Sequence, residues 1–168
     1  MNKKAFTLIE IFIVIGIVLI LAAAAINGYR GIAKTMRFNN TFNKIVAIVQ
    51  QARNMASNEK NTDITAYKIE FAAKQDTTHI VTLNSYGATA ADKKEIEKLT
   101  LNEEMILYPK GSSLCSSASI SFKNGTTETS MMCDAATADS LKIKLTDADG
   151  IYNKEFLIHR SSGIPQIQ

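Results

Sequence analysis

From Phe6 to Ile26 every position is apolar except Thr7, Glu10 and Gly16, a run of 21 residues. At a helical rise of about 1.5 Å per residue it covers roughly 31 Å, one hydrocarbon thickness of a bilayer. The pattern then changes without a break. Phe38, Phe42, Ile45, Val49, Ala52 and Ala56 recur at alternating spacings of four and three, while Asn39, Asn43, Lys44, Gln51 and Asn54 fall away from that face. The polar cluster "SNEKNTD" supplies a stop. One long helix is therefore predicted from residue 6 to about residue 57, transmembrane in its first half and amphipathic in its second. Asn27-Gly28 and Gly31 are its weakest stretch, because glycine costs about 1 kcal/mol against alanine inside a helix. A bend or local unwinding is expected there.

From Ile64 the period becomes two. Tyr67, Ile69 and Phe71 alternate with Lys68 and Glu70, and "HIVTLNSY" and "LTLNEEMILY" read as further strands. "ATAADKKEIEK" between them is polar and reads as a loop with at most one helical turn. "SISFKNGTTETS" predicts a hairpin with a two-residue turn at Asn124-Gly125, both at positive φ, closing Lys123 against Thr126. "LKIKL", a turn at "DADG", "EFLIHR" and "SSGIPQI" complete the series. The fold class is α+β: a long N-terminal helix packed on an antiparallel sheet of about six to eight short strands, residues 64–168.

Composition narrows the picture. Of the 168 residues about 140 lie beyond the apolar run, enough for one domain. Net charge is +3, and Lys3 and Lys4 supply two of those charges, so the remainder is close to neutral and offers no field for nucleic acid. Cys115 and Cys133 are the only cysteines. In an exported domain they read as a disulfide, worth about 3 kcal/mol by loop-closure entropy; in a reducing compartment they would be two thiols. The predicted hairpin leaves them one position short of direct opposition, so a bridge needs a bulge or frayed strand ends.

Chemistry-bearing constellations are sparse. His79 and His159 are lone histidines in strand-like runs, and neither a Gly-rich phosphate loop nor a nucleophile elbow occurs. Asp134, Asp139, Asp147 and Asp149 cluster loosely, but "DADG" lacks the other ligands of a calcium loop and reads as a turn. Lys142 and Lys144 share one strand face that could touch nucleic acid, without the basic cluster that binding needs. No enzyme activity, metal or cofactor is expected.

Glu10 sets the remaining question, since a carboxylate in a span costs about 2.5–3.5 kcal/mol at mid-bilayer and less near an interface. An ordinary signal peptide is one reading: Lys3 and Lys4 before an apolar core Leu8–Leu21, then Ala23-Ala24-Ala25 as the cleavage site, releasing a soluble exported β domain. A plain single-span anchor is another. Arg30, Lys34 and Arg37 outnumber Lys3 and Lys4, so charge alone leaves orientation open.

"KKAFTLIEIFIVIGIVLI" resembles the N-terminus of type IV prepilins and type II secretion pseudopilins. "IVAIVQQARNMASNEK", "ISFKNGT" and "FLIHRSSGIPQI" are similar, less specifically, to H-type minor pseudopilins and their minor-pilin relatives. The resemblance implies a leader of residues 1–5, cut by a prepilin peptidase between Ala5 and Phe6, and N-methylation of Phe6. Ala5 stands where the family has glycine. It implies residues 6–26 as the membrane half of the helix and residues 27–58 as its amphipathic half. Glu10, fifth in the processed chain, would meet the N-terminal amine of a neighbouring subunit. The implied protein is a structural, minor pilin or pseudopilin of a type II secretion pseudopilus or type IV pilus. It would sit single-pass in the bacterial inner membrane with its globular part outside the cytoplasm, and join a filament on assembly. The implied partners are the peptidase and methylase, other pilin-like subunits and the membrane. DNA binding, as in some minor pilins, is the alternative resting on Lys142 and Lys144.

Overall fold

The computed structural model describes residues 7–58, 63–73, 79–109, 114–126 and 128–167. Helix α1, Leu8–Asn58, is a single α-helix of 51 residues ending where the polar cluster begins. The unwinding expected at Asn27-Gly28 and Gly31 is absent. Helical backbone runs through this stretch, and the Thr35 hydroxyl donates back to the Gly31 carbonyl at 3.0 Å. Two glycines cost about 2 kcal/mol together, too little to break a cooperative helix of this length.

The chain divides into two compact units at Arg37/Phe38. In the first, Leu8–Ala25 is long and apolar enough to cross a membrane, and the large side chains from Leu8 to Leu21 are exposed.

The second unit is α+β. After Phe38–Asn58 of α1 come β1 (Ala66–Ala73), β2 (His79–Tyr86), a 3-10 turn (Ala90–Asp92), β3 (Lys94–Leu101), β4 (Glu104–Pro109) and β5 (Ser117–Lys123). Then follow β6 (Thr129–Cys133), β7 (Ala136–Thr137), β8 (Ser140–Thr146), β9 (Asn153–His159) and β10 (Pro165–Ile167). All pairings are antiparallel, but they form two sheets rather than the one expected. The six-stranded sheet has the order β3-β2-β1-β5-β6-β7 and the four-stranded sheet the order β10-β9-β8-β4. Period-two alternation marks strands without saying which of them pair. The break between sheets falls inside "LTLNEEMILY", at Asn102-Glu103.

Phe38, Phe42, Ile45, Val49, Ala52 and Ala56 are all buried, as their spacing predicts. They share one cluster with Ile69, Phe71 and Ile120 of the larger sheet and Leu141, Ile143 and Phe156 of the smaller. Phe42 meets Phe156 edge-on at 5.5 Å between ring centres, and Phe38 lies 6.1 Å from Tyr152. Each large side chain buried this way contributes about 1.5–3 kcal/mol.

Two local expectations need correction. Half of the polar segment 88–98 is strand: after a Thr89–Asp92 capping box, β3 pairs with β2 along the sheet edge. Its residues from Lys94 to Lys98 are exposed on both faces, so no apolar alternation announces them. A bulge between Leu83 and Asn84 leaves Ile96 without a direct partner across the ladder. The β5–β6 turn is also wider than predicted, with Phe122 opposite Thr129 rather than Thr127. Gly125 has φ +68°, but Asn124 does not share that region. Tertiary bonds fix the wider turn: the Asn124 amide side chain donates to Ile64 O at 2.8 Å, and the Gly125 N–H donates to Ala56 O at 2.9 Å.

Candidate functional site

At the helix start, Glu10 is exposed and bonded to Thr7. Its Oε2 accepts from the Thr7 N–H and the Thr7 hydroxyl, both at 2.8 Å. In return the Glu10 N–H donates to Thr7 O at 3.1 Å, and to Thr7 Oγ1 at 3.4 Å. This is a capping box, with Thr7 as the cap and Glu10 as the third helical residue. The carboxylate thus lies at the positive end of the helix dipole. Both Thr7 bonds fall on Oε2, and among the described residues no donor engages Oε1. The T-x-x-E spacing was available in the sequence, where the cost of Glu10 in lipid leaves it unused. Ala5 and Phe6, the expected cleavage and methylation residues, lie outside the described residues.

Cys115 and Cys133 form a disulfide with a Cα–Cα distance of 5.6 Å and a sequence separation of 18. Cys115 stands just before β5, and its N–H donates to Leu107 O of β4 at 3.0 Å. Cys133 ends β6 opposite Ala118. The bond therefore uses a frayed strand end, and it ties an edge of the smaller sheet to the larger one. Asp134 lies within 4.8 Å of both sulfurs, but in the oxidised pair those sulfurs are bonded to each other.

The four aspartates fall in three places, with Asp147 and Asp149 in one turn. Asp134 accepts the Ser116 and Ser117 N–H groups, and Asp139 faces Arg160 at 3.8 Å. Asp147, buried, accepts the Tyr152 N–H at 2.8 Å and shapes the "DADG" turn with Gly150 at φ +70°. His79 is on β2 of one sheet and His159 on β9 of the other. On the outer face of the smaller sheet Lys142 pairs with Glu155 at 2.8 Å, and Lys144 stands opposite the same glutamate.

The densest polar cluster was not anticipated. Glu70 accepts from Lys93 at 2.7 Å, Lys68 at 3.0 Å, Tyr86 at 3.1 Å and Asn84 at 3.1 Å. Both lysines lie over the Tyr86 ring, at 5.8 Å and 5.7 Å. Burial pushes the Glu70 carboxyl up, but Lys93, Lys68 and Tyr86 outweigh it and hold it below the usual carboxylate range. Glu70 and Tyr86 reverse the effect on Lys93, which is raised, first by its bond to Glu70. An open groove of about 1080 Å³ runs past Ser121, Ser130, Lys123 and Arg160. Its two cations face Glu128 at 3.2 Å and Asp139 at 3.8 Å. Through Glu70 the cluster ties β1 to Tyr86 of β2 and to Lys93 just before β3.

The chain matches none of the family models, curated proteins or solved structures it was compared with.

Proposed function

We propose that this chain is a structural subunit of a pilin-like filament, and not an enzyme. One observation carries the reading. A lone carboxylate, Glu10, sits in an exposed apolar helix with one oxygen held by its own helix start and the other unengaged among the described residues. In a bundle of such helices that oxygen has a natural partner. Cleavage between Ala5 and Phe6 would create a positive amine at the start of the helix, where the dipole disfavours a cation. A neighbour's Glu10 would neutralise it, and each carboxylate would be paired rather than left to lipid. The capping box survives such a cut, because the Thr7 N–H remains a backbone amide.

On this reading the chain is made as a prepilin, processed and N-methylated at Phe6, and held single-pass in the bacterial inner membrane by residues 6–26. The β-rich part stands outside the cytoplasm, and subunits join a type II secretion pseudopilus or a type IV pilus, as minor components. Lys142, one of the two candidate nucleic-acid contacts, is engaged with Glu155, which argues against the DNA-binding alternative. Assembly tests the proposal. Glu10→Gln keeps an acceptor for Thr7 but removes the charge, and is expected to reduce incorporation into filaments at least about tenfold. Incorporation at the unsubstituted level would refute the pairing.

A second reading has one observation in its favour. The compact β-rich unit begins at Phe38, so removal of a signal peptide at Ala23-Ala24-Ala25 would leave its core whole.

A further inference from the structure

Cys133 pairs with Ala136 across a two-residue turn, and both turn residues are left-handed, Asp134 at φ 45° and Ala135 at φ 70°. This is the type I′ geometry that Asn-Gly usually makes. Alanine enters it against the clash of its Cβ. Asp134 supplies the compensation. Its carboxylate accepts the Ser116 N–H at 2.9 Å, the Ser117 N–H at 2.8 Å and the Ser117 hydroxyl at 3.2 Å. Its own N–H donates to Ser117 O at 3.1 Å. Ser116 follows Cys115 and Asp134 follows Cys133, so the residue after each cysteine is tied to the residue after the other. None of these bonds involves sulfur.

We propose that Asp134 is a positioning residue for the Cys115–Cys133 disulfide, clamping the two chain ends so that the thiols of the reduced chain stay within bonding reach. The oxidation is an exchange with a small-molecule disulfide such as oxidised glutathione. One cysteine thiolate attacks it, giving a mixed disulfide and releasing one thiol. The second cysteine thiolate then attacks the protein sulfur of that mixed disulfide, closing the Cys115–Cys133 bond and releasing a second thiol. The protein gives up two electrons and two protons, and the glutathione disulfide takes both to become two thiols. The second attack is intramolecular and depends on how closely the thiols are held. Clamp and disulfide order the same two segments, so whichever forms first lowers the entropy cost of the other, and the coupling is reciprocal. The Ser116 N–H, and then that of Ser117, hold the Asp134 carboxyl below its usual range, so the clamp is charged when exchange runs near neutral pH.

The test equilibrates the full chain in detergent micelles with mixtures of oxidised and reduced glutathione. Exchange is quenched with acid and the free thiols are alkylated and counted by intact mass. Asp134→Ala is expected to be half reduced at least about threefold more easily than the unsubstituted chain, the low end for a solvent-exposed clamp. Asp134→Asn, which retains one acceptor oxygen, should fall between them, and Ser117→Ala, which keeps both amide bonds, should stay near the unsubstituted value. In strong denaturant all four should coincide. The clamp would be ruled out if Asp134→Ala matched the unsubstituted chain under native conditions, or if its shift persisted in denaturant. Should Asp134→Ala lose its sheet signal in circular dichroism, Asp134→Asn decides by the same two criteria.

Discussion

Replacing Phe42 with alanine removes one of the largest side chains that the second half of α1 buries. Phe42 is fully buried, meets Phe156 edge-on at 5.5 Å, and carries Lys154 over its ring at 5.2 Å. Truncation of a buried phenylalanine costs about 3–5 kcal/mol, the transfer of the ring plus the cavity it leaves. Because Phe156, Ile143 and Leu141 belong to strands paired in a sheet, they have little freedom to collapse into that cavity. The upper half of the range is therefore expected, a large share of the roughly 5–15 kcal/mol that stabilises a domain. The ring pair itself should account for about 0.5–1.5 kcal/mol, read from a double-mutant cycle of Phe42→Leu and Phe156→Leu. The assay is urea unfolding of the full chain in detergent, followed by the β-sheet signal. Met36→Ala, at a side chain that is 60% exposed, is the comparison, with an expected change within about 0.5 kcal/mol. Equal effects at Phe42 and Met36 would refute the claim that the amphipathic half of the helix is the core of the β-rich unit.

Three further outcomes follow from single residues. Gly163 has φ +60°, and a Cβ there would lie 2.7 Å from the Phe122 ring and 2.9 Å from Thr129 Oγ1, so Gly163→Ala should destabilise by at least about 1–2 kcal/mol in the same unfolding assay. Ala135→Gly should instead stabilise by up to about 1 kcal/mol, since it relieves the left-handed Cβ at φ 70°; a loss of stability would contradict the strain argument. Acid should weaken the fold through Glu70 and Asp134, whose carboxyls are both lowered, by Lys93, Lys68 and Tyr86 against burial in one and by the Ser116 and Ser117 amides in the other. Their contribution is fully present above the ordinary carboxylate pKa of about 4 and is lost as pH falls through the lowered folded values. Glu70→Gln should flatten that acid limb in pH-dependent melting, and an unchanged slope would remove Glu70 from the account.

How much of this was legible depends on what fixes each element. The helix was readable because Phe38, Phe42, Ile45, Val49, Ala52 and Ala56 keep a four-three spacing that only a helix can bury on one side. Its continuity through Gly28 and Gly31 was not, because local propensity is weak against the cooperativity of a long helix. The first part of β3, residues 94–98, escaped because an edge segment exposed on both faces has no apolar alternation to read, whereas its end, Leu99 to Leu101, lay inside a run already read as strand. The Asn124-Gly125 turn was found but set too tight, since its width is decided by bonds to Ile64 and Ala56, far away in sequence. The turn at Asp134-Ala135 lacks the glycine that marks its type, so neither it nor the clamp behind the disulfide could be read from composition. The cysteine pairing was legible only on the premise of export, and of the two geometries the hairpin allowed, a bulge or frayed ends, the bond uses the frayed end before β5. At Glu10 the capping partner was in plain view as T-x-x-E, whereas a partner on another subunit is a matter for assembly.

The most direct test of the central claim is the intact mass and N-terminal sequence of the protein taken from its native membrane. The account predicts a chain that begins at Phe6 and carries one added methyl group on its amine. A chain beginning at Ile26 would contradict it in favour of signal-peptide removal, and an uncut chain beginning at Met1 would reduce the helix to a membrane anchor.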